Sequence, residues 1–145
     1  MNQNNIRVLR DQIEAFCAKD WSRFKATLSD DAVYVEKPTQ RRVQGAEAIM
    51  QLVKGWADAF PDPTAKITKT LAAGDTAVVE LEWQGTHKGP LAGPLGSIPP
   101  TGKRGKVDAV QIAMFEGEKV KELHHYFDLV TLLQQLGAMP MNKAA

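Results

Sequence analysis

Near the end of the sequence, four of five consecutive residues have side chains that can bind or transfer protons. They are His124, His125, Tyr126 and Asp128, with the apolar Phe127 between the last two. On a β-strand alternate side chains share a face, so His124, Tyr126 and Asp128 would form one polar wall about 13 Å long. We take these three as the candidate catalytic residues, and we expect His125 to point the other way, as a structural or dimer-face residue.

Asp128 has a second possible role, because the strand pattern changes there to a short apolar helix that stops at Gly137. Aspartate is a favoured helix N-cap, which contributes about 1 kcal/mol and keeps the carboxylate charged. The same carboxylate against aromatic rings in a dry cavity would have a raised pKa and could act as an acid or a base. The residues alone leave both interpretations open.

The remaining candidate residues would line an apolar pocket beside the polar wall. Ligand pockets combine apolar and aromatic walls with a few convergent polar groups. The same aromatic residues have the spacing of an ordinary core, and a hydrogen-bonded structural role is an open alternative for His87 and His124. The predicted substrate-binding residues are Tyr34, Trp56, Phe60, Trp83, His87 and Met114.

The composition argues against several classes of partner. The chain has 145 residues, of which 43% are apolar and 24% charged, as in an ordinary globular domain. A net charge of +1 leaves no excess for binding a phosphate backbone, and no apolar run is long enough for a membrane helix. One cysteine and an opening MNQNN without signal-peptide character favour a reducing compartment. We expect one cytoplasmic domain, 1–145, that binds neither nucleic acid nor membrane.

Other kinds of catalytic site are not supported by the sequence. No spacing of cysteine, histidine and carboxylate matches a zinc site, so we expect no metal. Cys17 lies in an apolar helical stripe, and no G-x-S-x-G nucleophile motif is present. The glycines between positions 93 and 105 do not follow a strand and open a helix, so a dinucleotide cofactor is not expected either.

Hydrophobic periodicity predicts helices early in the chain and strands later. Apolar residues recur at three and four positions in the helical stretches, and polar capping residues or prolines mark their ends. The predicted helices are 6–17 with Asn5 as its cap, 21–28 after Asp20, 49–60 before Pro61-Asp62-Pro63, and 128–136.

The strands alternate with a period of two and are separated by turn residues such as Gly74-Asp75. The predicted strands are 31–38, 65–71, 79–84, about 106–115 and 119–127. This order implies an α+β domain with helices packed on one face of an antiparallel sheet. The third and fourth strands of the meander are apolar on both faces, so the second face is expected to be covered by a second subunit, or by the tail and loops.

A long connection separates the second and third strands of this meander. The segment 88–105 contains four prolines and five glycines, and connections of this length often form lids or binding loops. Its apolar Leu91, Leu95 and Ile98 favour a lid over the mouth of a pocket. A surface excursion or a dimer arm is the alternative.

Several stretches resemble one known family. They are GAEAIMQLVKGWADAFPD, AAGDTAVVELEWQGTHKG, PPTGKRGKV and HHYFDLVTLLQQLG, in this order. They resemble the SnoaL-like polyketide cyclases, within the superfamily of nuclear transport factor 2 and ketosteroid isomerase. The resemblance implies a cone-shaped fold, in which a curved antiparallel sheet has the N-terminal helices on its concave face.

The resemblance also implies a chemistry. The cyclases of this family close a ring by intramolecular aldol condensation, with no metal or cofactor and with one acidic residue as acid and base; by motif that residue is Asp128. They also place polar side chains, including a histidine, on the preceding strand. Here Ile112 and Met114 occupy those positions, with Gln111 on the opposite parity.

The leading hypothesis is therefore a cofactor-independent enzyme for an apolar carbonyl compound. Asp128 would move a proton next to the carbonyl while His124 or Tyr126 donates to the enolate oxygen, in an aldol-type cyclisation or an isomerisation. The alternatives are a non-catalytic protein that binds a small molecule, and an assembly module without a ligand. A homodimer through the sheet is expected in each case.

Overall fold

The computed structural model describes residues 2–93 and 96–139, and in these ranges it contains four helices and eight strands. In chain order they are α1 (Asn2–Ala18), α2 (Trp21–Ala26), β1 (Leu28–Glu36), β2 (Arg41–Gln44), α3 (Ala46–Ala59), β3 (Thr64–Ala73), β4 (Thr76–Thr86), β5 (Leu91–Gly93), β6 (Gly96–Ile98), β7 (Arg104–Glu116), β8 (Lys119–Phe127) and α4 (Leu129–Gln135).

Six strands form one curved sheet in the order β2-β1-β8-β7-β4-β3. Strands β3, β4, β7 and β8 follow each other as antiparallel neighbours, whereas β1 pairs with β8 in parallel. The predicted α+β class and the cone-shaped fold are confirmed. The sheet departs from the antiparallel arrangement at one pair, β1 with β8, because the chain passes through α3 and the meander before β8 returns beside β1.

The helices pack on the concave face and enclose the core against it. Helix α1 contacts β3 and β4, α3 contacts β1, and α4 contacts β7. The side chains between the layers are fully buried and mostly aliphatic, as expected for helices that bury one apolar stripe. Leu9, Ile49, Val79, Leu81 and Val120 are the central examples.

Most element boundaries agree with the sequence prediction, and the exceptions are local. Asp20 caps α2, where its side chain accepts a hydrogen bond from the Arg23 amide. The predicted turn at Gly74 is confirmed, since Gly74 has φ of 56° between paired β3 and β4. Asn5 is a buried residue inside α1 instead of its cap, and Leu28 begins β1 instead of ending α2.

The segment 88–105 contains a short hairpin, β5–β6, that the sequence did not predict. Leu91 is buried, and Ile98 packs with it in a cluster that includes Trp56 and Leu129. The hairpin thus rests on α3 and α4 beside the core. Leu95, the third apolar residue of the expected lid, lies outside the described residues, as do the last five residues, MNKAA, for which the sequence suggests a frayed tail.

The convex face of the sheet is also partly apolar. Leu71 and Tyr126 are 60% and 40% exposed, and Val78 and Ile112 are half-buried between them. Within residues 2–93 and 96–139, no helix is long and apolar enough to cross a membrane.

Candidate functional site

A cavity lies between the helices and the concave face of the sheet. Its volume, measured as the space open to the centre of a water molecule, is about 110 Å³. A single water needs about 10–15 Å³ on this measure, so the cavity can hold a small organic molecule. Its apolar and aromatic walls include Ile13, Phe16, Phe24, Val53, Trp56, Phe60, Trp83, Val107, Leu123, Phe127 and Leu132.

Two glycines shape one end of this cavity. Gly85 and Gly105 are cross-strand partners in β4 and β7, and both lie in the cavity wall. A Cβ on Gly105 would lie 2.6 Å from Leu132 Cδ1, and one on Gly85 would lie 3.0 Å from Phe60 Cβ. The absence of side chains therefore lets α4 and the end of α3 close on the sheet.

The polar groups in the wall are all uncharged. Besides the aromatic walls they are Gln12, Tyr34, Gln84, Gln111 and His125. Gln111 and His125 are direct partners on β7 and β8, so their side chains stand next to each other on the concave face. No Asp, Glu, Lys or Arg of the described chain lines the cavity, which favours a neutral ligand.

Both ring nitrogens of His125 take part in a hydrogen-bond network. Its Nε2 lies 3.2 Å from Trp83 Nε1, and its Nδ1 lies 2.8 Å from the Tyr34 hydroxyl. The Tyr34 hydroxyl is in turn 3.0 Å from Glu36 Oε2. Because an indole N–H only donates, Nε2 must accept, and a neutral imidazole then carries its proton on Nδ1. The chain of donors therefore runs from Trp83 through His125 and Tyr34 to Glu36.

Glu36 closes this network behind the cavity wall. Its side chain is fully buried and pairs with Arg41, whose side chain is 35% exposed, at 2.6 Å. Trp56 Nε1 donates to Glu36 Oε2 at 2.8 Å, and the Thr39 hydroxyl donates to Oε1 at 2.6 Å. Each carboxylate oxygen thus receives at least two donors, as a buried charge requires.

The surroundings keep His125 neutral. Burial lowers the pKa of His125 from its ordinary 6.5 to about 4, and the nearby Glu36 carboxylate partly opposes this shift. Burial also raises the pKa of Tyr34 well above its ordinary value, with the negative charge of Glu36 acting in the same direction. The network therefore holds a neutral imidazole and a protonated phenol at neutral pH.

Gln111 adds an unsatisfied group to the same wall. Its Oε1 is buried and has no hydrogen-bond partner among the described residues. A buried acceptor without a partner costs about 1–3 kcal/mol. A hydrogen bond from a ligand hydroxyl or amine to Oε1 would recover that cost. With the Gln111 side-chain amide turned over, its NH₂ group would instead donate to a ligand carbonyl oxygen.

Four of the predicted substrate-binding residues do line the cavity, namely Tyr34, Trp56, Phe60 and Trp83. The other two do not. His87 is buried behind the Phe60 ring and accepts a hydrogen bond on Nδ1 from the Thr101 amide at 3.2 Å. Met114 is half-buried on the convex face, because the concave residues of β7 are the odd-numbered ones.

The predicted polar wall lies away from the cavity, so the predicted side-chain orientation is wrong. His124 faces the convex side, where its Nε2 lies 2.5 Å from Glu122 Oε2. Tyr126 is on the same side, 40% exposed, with Lys37 Nζ 5.7 Å from its ring centre. His125, expected to point outward, is the histidine in the cavity.

Asp128 is the N-cap of α4. Its carboxylate accepts hydrogen bonds from the Thr131 hydroxyl at 2.5 Å and from the Thr131 amide at 3.0 Å. These two bonds, the hydroxyl more than the amide, lower the pKa of Asp128 below its ordinary value. The side chain is exposed and lies outside the cavity wall. Of the two interpretations left open by the sequence, the geometry supports the cap.

The sequence contained a signal for the orientation of His125 and Gln111, the two cavity residues that the prediction missed. Leu123 and Phe127 share parity with His125, whereas the charged Glu122 shares parity with His124. A charged residue on one side and large apolar residues on the other mark the solvent and core faces of a strand. By the same rule Gln111 lies on the core side of β7, so the assignment of Ile112 and Met114 to the pocket side, with Gln111 opposite, is wrong.

We expect Asp128→Asn to retain both stability and activity, because asparagine caps helices as well as aspartate does and the side chain lies outside the cavity. Asp128→Ala should lose about 1 kcal/mol of unfolding free energy with unchanged activity. Urea unfolding and a turnover assay on both variants test this. A hundredfold loss of activity in a stably folded Asp128→Asn protein would restore the catalytic assignment.

The free energy of unfolding should decrease as the pH falls from 6.5 towards 4. In this window the unfolded chain protonates residue 125, whereas the native state, with a His125 pKa of about 4, does not. Stability is therefore full above pH 6.5, and the loss approaches its limit near pH 4. The difference corresponds to about 3 kcal/mol at most. Urea unfolding measured at several pH values in this range should show that the free energy of unfolding depends less steeply on pH in His125→Asn than in the wild type. An equal dependence in the two proteins would contradict the lowered pKa of His125.

The described residues 2–93 and 96–139 contain no group of three His, Cys, Asp or Glu side chains that could hold a metal ion. The candidate site is the cavity with its neutral hydrogen-bond network. The group in its wall that can accept or donate a proton near neutral pH is the His125 imidazole, set among apolar side chains.

Comparisons with known proteins agree with this fold. A sequence model of the family described as SnoaL-like polyketide cyclase matches residues 6–136. No curated protein sequence matches the chain. Among solved structures, AclR from Streptomyces galilaeus, a candidate hydroxylase, is 24% identical with a TM-score of 0.83, covering 99% of this chain and 87% of its own.

Two further solved structures show the range of the fold. A candidate SnoaL-like polyketide cyclase from Jannaschia sp. CCS1 is 20% identical, with a TM-score of 0.85 and coverage of 96% of this chain and 95% of its own. An LEH-like epoxide hydrolase from M. tuberculosis is 18% identical, with a TM-score of 0.72 and coverage of 93% and 90%. At these identities the similarity establishes the fold.

Proposed function

Because the chain belongs to the SnoaL-like polyketide cyclase family, we propose that it is a cofactor-independent enzyme acting on an apolar carbonyl compound in this cavity. The reaction is an aldol-type cyclisation or an isomerisation, which share proton removal next to a carbonyl. One observation carries the proposal: a buried, neutral imidazole, His125, lines an otherwise apolar and uncharged cavity. The acid/base role expected for Asp128 accordingly passes to His125.

The proposed step starts from the lone pair on His125 Nε2. This nitrogen removes a proton from the carbon beside the carbonyl, and the C–H bonding pair becomes the enolate. The Trp83 N–H, released from Nε2, and the Gln111 amide then donate to the enolate oxygen. His125 returns the proton when the new bond is complete, so the residue ends in its starting state.

The weak basicity of His125 restricts the substrate. A base whose pKa lies near 4 removes only relatively acidic protons at a useful rate. Carbon flanked by two carbonyl groups meets this condition, whereas a simple ketone does not. The neutral walls further favour an uncharged 1,3-dicarbonyl compound with an apolar body.

Deuterium exchange tests the proton-transfer step without knowledge of the full reaction. A small apolar β-keto ester with one alkyl substituent is incubated in D₂O with and without protein, and its acidic proton is followed by NMR. We expect the protein to accelerate the exchange. Binding of the ester without any acceleration would overturn the proposal.

Such an outcome would favour the second candidate, a non-catalytic protein that binds a small molecule. The supporting observation is that both nitrogens of His125 already have hydrogen-bond partners within the protein. A binding protein would show ligand-dependent stabilisation with no exchange. An enzyme would show both.

We also propose that the protein forms a homodimer through the convex face of the sheet. The half-buried Val78 and Ile112, between the exposed Leu71 and Tyr126, support this interface. Sedimentation at micromolar concentration should show a dimer, and Ile112→Glu should give a folded monomer. A monomeric wild-type protein would contradict the dimer.

A further inference from the structure

Glu36 is a buried ionisable residue for which the proposed reaction gives no role. It is fully buried, yet it is absent from the cavity wall. A buried ion pair contributes little net stability, because the desolvation of both charges offsets their attraction. A fold that needed only packing at this position could use an apolar residue. The position of Glu36 relative to the cavity suggests what the charge does.

The two oxygens of Glu36 have different surroundings. Oε1 accepts from Arg41 and Thr39, towards the surface. Oε2 accepts from Trp56 and Tyr34, towards the cavity. Only one phenol oxygen, that of Tyr34, separates Oε2 from Nδ1 of His125.

The direction of these hydrogen bonds depends on Glu36. A carboxylate only accepts, so the Tyr34 hydroxyl must donate its proton to Glu36. Tyr34 then offers His125 a lone pair, which selects the proton on Nδ1 and leaves Nε2 unprotonated. Trp83 selects the same tautomer from the other side of the ring.

We propose that Glu36 is a positioning residue for His125. Through Tyr34 it determines which imidazole nitrogen carries the proton, and its charge stabilises the imidazolium that forms when Nε2 accepts a second one. Arg41 moderates this charge from the surface side. The catalytic meaning rests on the proposed function, whereas the effect on His125 is measurable without a substrate.

No other charged group competes for this role. The ionisable neighbours of His125 in the described structure are Tyr34 and, through it, Glu36 with Arg41. The other side chains around the ring, Trp83, Phe127 and Gln111, are uncharged. Glu36 is also the charged residue whose attraction opposes the effect of burial on the His125 pKa.

The test uses NMR titration of ¹⁵N-histidine-labelled protein, in which the ring nitrogens report protonation and tautomer. In Glu36→Gln the charge is removed at nearly constant shape, so His125 should stay neutral to a pH lower by about 1 unit or more. In Arg41→Gln the Glu36 charge is uncompensated, so the midpoint should rise by a similar amount. Thr39→Val removes one hydrogen bond to Glu36 but no charge, and should change the midpoint little.

Shifts of the His125 midpoint in opposite directions in the Glu36 and Arg41 variants support the proposal, because a mere loss of packing would not shift the midpoint down in one variant and up in the other. An unchanged midpoint in Glu36→Gln, or shifts in the same direction, overturn it. If Glu36→Gln does not fold, Arg41→Gln provides the test by itself, because Arg41 is partly exposed. A His125 midpoint that does not rise in Arg41→Gln then overturns the proposal.

The deuterium-exchange assay separates this proposal from the proposed function. We expect Glu36→Gln to slow exchange by roughly one to two orders of magnitude. If Glu36→Gln catalyses exchange as fast as the wild type does, the role of Glu36 is refuted, but the proposed enzymatic function is not. Opposite titration shifts without exchange in any variant support the positioning of His125 and refute the enzyme.

Discussion

His125→Asn should lower the rate of proton exchange or turnover by roughly two to four orders of magnitude, the usual contribution of a general acid or base. Asparagine is smaller than histidine, and its amide nitrogen can take the place of Nδ1 in donating to Tyr34. It has no lone pair at the position of Nε2, where the proton would be accepted. The fold and the ligand affinity should therefore change much less than the rate.

His124→Asn is the matched control for this variant. The two histidines are adjacent on β8, but His124 faces the convex side and pairs with Glu122. Its replacement should leave the exchange rate within about twofold of wild type. Equal losses in the two variants would indicate a general disturbance of β8, and an active His125→Asn protein would remove the catalytic role of this residue.

Phe60→Ala should reduce the free energy of unfolding by about 3–5 kcal/mol, as is usual when a buried phenylalanine is truncated. Phe60 is 8% exposed, stacks on Trp56 with ring centres 6.3 Å apart, and covers His87 at 5.4 Å. It joins the end of α3 to the sheet, where Gly85 makes room for it. Its loss would leave a void that opens into the cavity.

Thermal unfolding measures this loss, which corresponds to a decrease in melting temperature of about 10 °C. Val130→Ala is the control, because Val130 is 51% exposed on α4 and lies outside the cavity wall and the convex face. That variant should stay within about 0.5 kcal/mol of wild type. A Phe60→Ala protein as stable as the control would mean that the walls of the cavity contribute little to the fold.

The amino-acid sequence determined the four helices, the long strands and their order, whereas β2 and the β5–β6 hairpin were not predicted. The period of the apolar residues predicted α3 and the long strands, and Asp20 and Gly74 marked a helix start and a turn that the structure confirms. Asp128 was recognised as a possible cap for the same reason. All these features depend on residues a few positions apart, where propensity, capping and turn geometry act locally.

The faces of the strands were decided by the tertiary structure. Alternation separates two sets of side chains, and a charged residue such as Glu122 marks the solvent side of β8. Apolar residues occur in both sets, however, so the pattern by itself does not decide which set meets the helices. In β8 the alternation is also interrupted, because Lys121 is an extra residue between Val120 and Glu122 in the pairing with β7. Val120 and Leu123 therefore both face the core, and this register brings His125 into the cavity while His124 faces outward.

The hydrogen-bond network also appears only in the folded chain. Tyr34 and His125 are 91 positions apart and meet because β1 lies parallel to β8. No local pattern in the sequence relates Glu36 on β1 to Trp56 on α3 or to a histidine on the last strand. Local interactions specify helices, strands and turns, whereas the desolvated site depends on which distant side chains the packed layers bring within hydrogen-bonding distance.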